Sequence, residues 1–136
     1  MFEASSEGNL AEVALRRGDI PSAARHQRVS LALALELGMS VMVGFSLIVA
    51  ARIAASSESW AMAARLHAHA ELILDQTGIV LYADDRRASD DMLTAAREHL
   101  GDSAFAAARS SGRSSGLPAV AAMADRVLAD AASVLA

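Results

Sequence analysis

The sequence predicts an all-α protein, and three observations support this fold class. Alanine accounts for 32 of the 136 residues, whereas proline occurs twice and Phe, Trp and Tyr together occur five times. Alanine has the highest helix propensity, and its small side chain lets helices pack closely. Glycines follow segments with helical apolar spacing, as at Gly38 and Gly78. The only strand-like stretch is "IVLY" at 79–82, and a lone strand has no partner with which to form a sheet.

The composition also limits the function. The net charge is −4 and the twelve basic residues other than histidine are all arginine, so we expect no strongly basic surface for nucleic acid. The absence of cysteine excludes disulfides and thiol chemistry. The first ten residues, "MFEASSEGNL", lack the basic flank and apolar run of a signal peptide. We therefore expect a cytoplasmic protein that forms one domain.

Turn and cap signals divide the chain into helices. Gly18-Asp19 marks a turn, and Gly38 suits the position just after a helix. "SSES" at 56–59 offers N-caps for the next helix, which ends before Gly78. The predicted helices cover 7–17, 21–37, 40–55, 60–76, 87–100, 103–109 and 118–134. The last is amphipathic, with one apolar stripe formed by Val120, Ala124, Val127, Leu128, Ala131, Val134 and Leu135.

The longest uncharged stretch is "LGMSVMVGFSLIVAA" at 37–51. Its fifteen residues fall short of the roughly 20 that span a bilayer, and Glu36 and Arg52 bound it closely. The sequence therefore favours a buried core helix over 40–55. A membrane-associated helix pair built on 37–51 remains an alternative, which solubility without detergent would test.

The first eighty residues contain an internal repeat with a period of 40. Shifting 9–39 onto 49–79 matches six of 31 residues, and the matches fall on small residues and a closing glycine. Each copy predicts a helical hairpin, and a hairpin buries its apolar face only by stacking on another element. The identical pairs are Ala11 and Ala51, Ala14 and Ala54, Ala23 and Ala63, Ala24 and Ala64, Arg25 and Arg65, and Gly38 and Gly78.

The hairpin pattern resembles a tetratricopeptide repeat. Leu10-Ala11 corresponds to the pair of a large and a small residue in that family's first helix. Gly18-Asp19 corresponds to the turn between the helices, and Ala23 to the alanine of the second helix. The period of 40 exceeds the standard 34 and is similar to the longer repeats in the C-terminal arrays of large bacterial signal-transduction ATPases. The second copy departs further, with Glu58-Ser59 at the turn.

The C-terminal half carries a more specific resemblance, over about 60–124. It resembles the terminal segment of LuxR-type and adenylate-cyclase-like ATPase regulators, in which an "LG..AF..A...GR" stretch closes the helical array. One departure is the start of the last helix, Gly116-Leu117-Pro118, where the family usually has an acidic, capped helix. The matching residues are Ala95-Ala96-Arg97, Leu100-Gly101, Phe105-Ala106-Ala107-Ala108, Gly112-Arg113 and Leu117.

These resemblances imply an α-solenoid fragment with two tetratricopeptide-like hairpins over 1–80 and C-terminal capping helices of the same domain over 81–136. They imply a protein–protein interaction or regulatory module, the repeat segment of a bacterial transcriptional regulator without its ATPase and DNA-binding domains. We expect no catalysis, cofactor or metal, and no direct binding of DNA or nucleotide, because the chain has no lysine and no phosphate-binding loop. The expected partner is another protein, or a second copy bound through apolar helix faces.

A different class of function remains open. The chain could be a small helical enzyme or ligand-binding bundle that uses His67, Glu71 and Asp75. The two hypotheses differ in whether these side chains line a closed pocket or an open face. His67 and Glu71 are one helical turn apart, and we expect this pair to lie solvated on a partly exposed face.

Several other motifs have a simpler structural interpretation. Arg17-Gly18-Asp19 coincides with the predicted turn, so a role in integrin binding is not expected. His67 and His69 point about 200° apart on a helix, whereas zinc-binding pairs are four residues apart. We expect His26 and His99 to have no partner, and the sequence does not determine whether Trp60 is buried.

Two polar stretches in the C-terminal half also lack the pattern of a site. The acidic residues Asp84, Asp85, Asp90 and Asp91 surround Arg86-Arg87 but lack the glycine and spacing of a calcium loop. "RSSGRSSG" at 109–116 lacks the lysine of a phosphate-binding loop, and its composition predicts a flexible linker.

An array that lacks its N-terminal neighbours exposes an apolar end. Phe2 and Leu10 lie at that end, and the helix over 40–55 is apolar all round. The sequence therefore predicts self-association that increases with protein concentration.

Overall fold

The computed structural model describes residues 2–133 and the side chains of residues 6–133. Every regular element in this part of the chain is a helix, so the all-α prediction is confirmed. The stretch 79–82 is extended and belongs to no sheet. Val134 and Leu135, placed on the last apolar stripe, lie outside the described residues. The helices are α1 Phe2–Arg16, α2 Ile20–Leu37, α3 Ser40–Ser56, α4 Trp60–Thr77, α5 Ala83–Leu100, α6 Asp102–Ser114 and α7 Leu117–Ala132.

Two boundaries in the C-terminal half differ from the predictions. Helix α5 begins at Ala83 rather than at 87, with Asp84 and Asp85 in its first turn. Carboxylates there interact favourably with the unpaired N–H groups of a helix start, which explains the earlier beginning. Helix α6 continues to Ser114 rather than ending at 109, so the prediction of a flexible linker over 109–116 is wrong.

The first four helices form two hairpins with equivalent turns. Helix α1 packs along α2, and α3 packs along α4, each pair joined by three residues. The Asp19 amide donates to the Ala14 carbonyl at 2.9 Å, and the Ser59 amide donates to the Ala54 carbonyl at 2.9 Å. Because these residues are related by the shift of 40, the repeat read from the sequence corresponds to a repeated backbone turn.

Both turns require one residue in the left-handed backbone conformation, but only the first turn has a glycine at that position. Gly18 has φ 77° and its counterpart Glu58 has φ 62°. A left-handed conformation costs a residue with a Cβ roughly 1–2 kcal/mol. We therefore expect Glu58→Gly to raise the free energy of unfolding by about 1 kcal/mol in urea denaturation. Glu36→Gly, at an exposed position inside α2, is the matched control and should lower it by about 1 kcal/mol. A destabilised Glu58→Gly variant would contradict this account of the turn.

Helix α3 forms the centre of the core. Ten of its residues are buried, among them Leu47 and Ile53, and it contacts helices on several sides. The prediction of a buried core helix is therefore confirmed. A buried polar contact joins it to α2, in which Gln27 Nε2 donates to Ser46 Oγ at 2.7 Å. In the described chain no helix has both the length and the apolar character that crossing a membrane requires.

The last three helices pack back onto the two hairpins. Helix α6 packs closely along α4, and α7 lies against α2 and α3. Helix α5 contacts α3, α4 and α6 less extensively. On the surface, Arg28 holds α7 to α2 by donating to both carboxylate oxygens of Asp125, at 2.7 and 3.3 Å. Helices α5 and α6 thus do not form a third hairpin like the first two.

Candidate functional site

The outer face of α1 is the first candidate surface. Leu10 and Val13 are 48% and 47% exposed, whereas Ala11 and Ala14 on the same helix are buried. The small residues let α1 approach its neighbours, and the larger apolar residues remain on a face that no helix of the described chain covers. Phe2, predicted at the same end, has a side chain outside the described set. We call Leu10 and Val13 the α1 outer face.

A groove between α1, α3 and the stretch before α5 is the second candidate surface. It encloses about 260 Å³, with an apolar floor and a polar rim. At the rim, Arg52 Nη1 lies 3.7 Å from Glu12 Oε2. An apolar floor with a few polar groups at its edge is typical of surfaces that bind other molecules. The floor is formed by Met42, Phe45, Ile48, Val49 and Leu81, and the rim by Asn9, Glu12, Arg52, Tyr82 and Asp85.

The catalytic alternative depends on His67 and Glu71, and the structure brings these two together. His67 Nδ1 lies 3.2 Å from Glu71 Oε1. The ring N–H is not directed at the carboxylate, however, and neither ring nitrogen has a hydrogen-bond partner. We therefore treat the contact as electrostatic. His67 is only 3% exposed, so the prediction that this pair lies solvated on a partly exposed face is wrong for the histidine.

Two arginines of α6 complete a charged cluster around Glu71. Arg109 donates to Glu71 Oε2, and Arg113 Nη2 lies 3.3 Å from the same oxygen. Partial burial alone would raise the pKa of Glu71, but the contacts with His67 and Arg109 outweigh it and lower the pKa to about 2. Glu71 is therefore a carboxylate at neutral pH that is already engaged by two cations. No local pattern predicts this cluster, because Glu71 and Arg109 are 38 residues apart.

The third residue of the catalytic alternative lies apart from the other two. Asp75 is exposed at the end of α4 and makes no ion pair in the described part of the chain. His67, Glu71 and Asp75 line neither the groove beside α1 and α3 nor an open groove along α6, whereas Arg109 and Arg113 do line the latter. The structure therefore brings together a partly buried ion cluster, in which Glu71 contacts two arginines, and leaves Asp75 outside it.

His69 points away from His67, toward α6. Its Nδ1 bonds the Gly112 carbonyl at 2.8 Å, and the side chain is 5% exposed. Glycine at position 112 permits this contact, because a Cβ there would lie 2.1 Å from the Arg65 carbonyl oxygen. Among the residues described, no three His, Asp or Glu side chains are placed to hold a metal ion.

The remaining histidines have partners, contrary to the sequence-based expectation. His26 Nδ1 lies 2.7 Å from Glu7 Oε2. The His99 ring stacks on Trp60, with centroids 4.6 Å apart and planes 8° from parallel. Trp60 is half-buried, which answers the question that the sequence left open. These contacts join α1 to α2 and α4 to α5.

Asp19 and the acidic residues of α5 occupy helix starts. Asp19 caps α2, where its carboxylate accepts from the Ser22 amide at 3.3 Å, so the Arg17-Gly18-Asp19 motif belongs to a turn. Asp84 and Asp85 lie in the first turn of α5, while Asp90 and Asp91 are exposed one to two turns later.

Comparisons with protein-family models, curated proteins and solved structures find no match to this chain.

Proposed function

We propose that this chain is a protein-interaction module whose α1 outer face receives another helical unit. The observation that carries the proposal is the pair of half-exposed apolar residues Leu10 and Val13 on a helix that is packed on its other side. In an array of stacked hairpins, the first helix of each unit packs against the preceding unit. An exposed apolar face on α1 is what such an array presents at an unoccupied end.

The repeated hairpin supports an array rather than an isolated bundle. Gly38 and Gly78 end α2 and α4 in the left-handed conformation, at φ 67° and 75°. Ala23 and Ala24 in the first unit and Ala63 and Ala64 in the second are all fully buried. Equivalent small residues at equivalent helix contacts are what a tetratricopeptide-like array needs, because they set the distance between neighbouring helices.

The resemblance to LuxR-type and adenylate-cyclase-like ATPase regulators suggests the biological setting. In that setting the chain would be the C-terminal repeat segment of a cytoplasmic bacterial regulator, acting through a protein partner or a second copy of itself. The catalytic alternative has less support, because Glu71 is held by Arg109 and Asp75 lies apart.

Sedimentation velocity tests the proposal. We expect the wild-type chain to form dimers in increasing proportion as concentration rises, because each copy offers its α1 outer face to the other. The double variant Leu10→Glu/Val13→Glu should remain monomeric, since four like charges would meet at that contact. Val29→Glu is the matched control, because Val29 is similarly exposed but lies on α2. A monomeric wild-type chain, or loss of the dimer in the control as well, would contradict the proposal.

A further inference from the structure

Another groove, independent of the α1 outer face, lies where the ends of α2, α3, α4 and α7 meet. It encloses about 510 Å³, within the range of small-molecule sites. Its walls combine apolar side chains of all four helices, including Leu35, Val43, Ile73 and Leu117, with the polar side chains of Ser40, Gln76 and Thr77. Leu35 and Leu117 are partly exposed at its mouth, although both are large and apolar. We call it the His69 groove, because His69 also lines it.

His69 supplies the groove with a hydrogen-bond acceptor of fixed direction. The Gly112 carbonyl can only accept, so Nδ1 of His69 carries the proton that it donates. In the neutral ring, Nε2 then has a free lone pair. Nε2 has no hydrogen-bond partner in the described chain and is not among the polar atoms shut off from solvent. His69 lines this groove, which is where Nε2 would meet a ligand.

The groove has no net charge to offer a ligand. None of the eleven residues that line it is Asp, Glu, Lys or Arg. Helices α2 and α4 end there with their partially negative carbonyl ends, and α3 and α7 begin there with partially positive amide ends. Neither of those two starts has a side-chain cap, so backbone donors remain available as well. Such a site suits a group that both donates and accepts hydrogen bonds without carrying charge.

We propose that the His69 groove binds an uncharged amphiphile with an apolar body and a hydroxyl group that donates a hydrogen bond to His69 Nε2. The apolar body lies against the side chains of the walls, where it removes Leu35 and Leu117 from water. The hydroxyl oxygen accepts from an amide at the uncapped start of α3 or α7. A carboxylate does not fit this role, because it cannot donate a hydrogen bond to Nε2.

Three matched probes test the proposal: 4-hexylphenol, its methyl ether 4-hexylanisole, and 4-hexylbenzoate. The phenol donates a hydrogen bond, the ether has a similar shape but no donor, and the benzoate is charged. We expect the phenol to bind about tenfold more tightly than the ether, the usual effect of one hydrogen bond. In long-range ¹⁵N–¹H spectra at pH 8, the phenol should shift the Nε2 resonance of His69 and leave those of His26 and His99 unchanged.

Two variants locate the site. His69→Phe keeps an aromatic ring but removes the acceptor, so phenol and ether should bind equally. Leu117→Glu places a charge at the exposed mouth of the groove and should weaken phenol binding at least tenfold, whereas the control Val29→Glu, outside the groove, should not. If His69→Phe does not fold, Leu117→Glu and the Nε2 shift of the wild-type chain decide. The proposal would be overturned if no probe binds, or if the wild-type chain binds phenol and ether equally. Tightest binding of the benzoate would also overturn it.

Discussion

Gly112→Ala is expected to lower the free energy of unfolding by about 3 kcal/mol, the upper end of the usual cost of overpacking a core. The added Cβ would lie 2.1 Å from the carbonyl oxygen of Arg65 and 2.9 Å from its carbonyl carbon. Both are backbone atoms in the middle of a helix, so no side chain can rotate to make room. Relief requires α4 and α6 to separate, which would also lengthen the hydrogen bond between His69 and the Gly112 carbonyl.

Two other glycines provide graded controls for urea denaturation. A Cβ at Gly116 would have no neighbour closer than 3.7 Å, so Gly116→Ala should change stability by less than about 0.5 kcal/mol. A Cβ at Gly44 would meet Leu74 Cδ2 at 2.8 Å and Leu74 Cγ at 2.9 Å, but both atoms belong to a side chain rather than to the backbone. Gly44→Ala should therefore fall between the other two. If Gly112→Ala were as stable as Gly116→Ala, that result would contradict the close approach of α4 and α6 in the structure.

Local patterns predicted the hairpins because their signals are local. Gly38 and Gly78 end helices by adopting positive φ, a property of the residue itself. The burial of α3 followed from a helix that is apolar on every side and too short to span a bilayer. The stacking of the hairpins into a solenoid remains a prediction, because α5, α6 and α7 pack in an arrangement that no local pattern specifies.

The misread segment at 109–116 shows where local patterns fail. Serine and glycine have low helix propensity, and their density there favours a linker. The segment is nevertheless helical up to Ser114, because α6 packs along α4 and needs a glycine at the crossing. The contact that decides this joins residues 43 apart, His69 and Gly112. The first "SSG", at 110–112, therefore resembles a flexible linker in sequence although its glycine forms a close helix contact in the fold.

The burial of His67 had a signal in the repeat. The shift of 40 aligns His67 with Gln27, a polar residue that interrupts the apolar spacing of α2 and is buried there. A polar residue at the same inward position of both units implies burial rather than solvation. What the repeat could not supply is the surrounding charge, because Arg109 and Arg113 belong to a helix outside the two repeated units.

Glu71→Gln is expected to destabilise the chain by about 2 kcal/mol at pH 7, because it removes the counter-charge of a largely buried arginine. The Arg109 side chain is 17% exposed, and its Nη1 has no hydrogen-bond partner in the described chain. Burial would raise the pKa of Glu71, but the contacts with His67 and Arg109 lower it from its usual 4.5 to about 2. Without screening, this lowered pKa would correspond to about 3 kcal/mol of stabilisation of the folded chain. Because the Glu71 side chain is 32% exposed, solvent screening reduces this contribution to about 2 kcal/mol.

The effect of Glu71→Gln should depend on pH in a specific direction. The pKa of Glu71 is lower in the folded chain than in the unfolded one, so its stabilisation is fully present above about pH 4.5 and is lost as the pH falls toward about 2. Urea denaturation at several pH values should show the wild-type and variant curves converging over this range. Asp102→Asn is the matched control, because Asp102 forms a solvent-exposed pair with Arg97 at 2.7 Å. Arg97 lowers the pKa of Asp102 as well, so this variant should show the same direction of pH dependence with a much smaller amplitude, because solvent screens the pair. A constant difference between wild type and Glu71→Gln from pH 7 to pH 2 would show that the carboxylate is not held ionised by its neighbours.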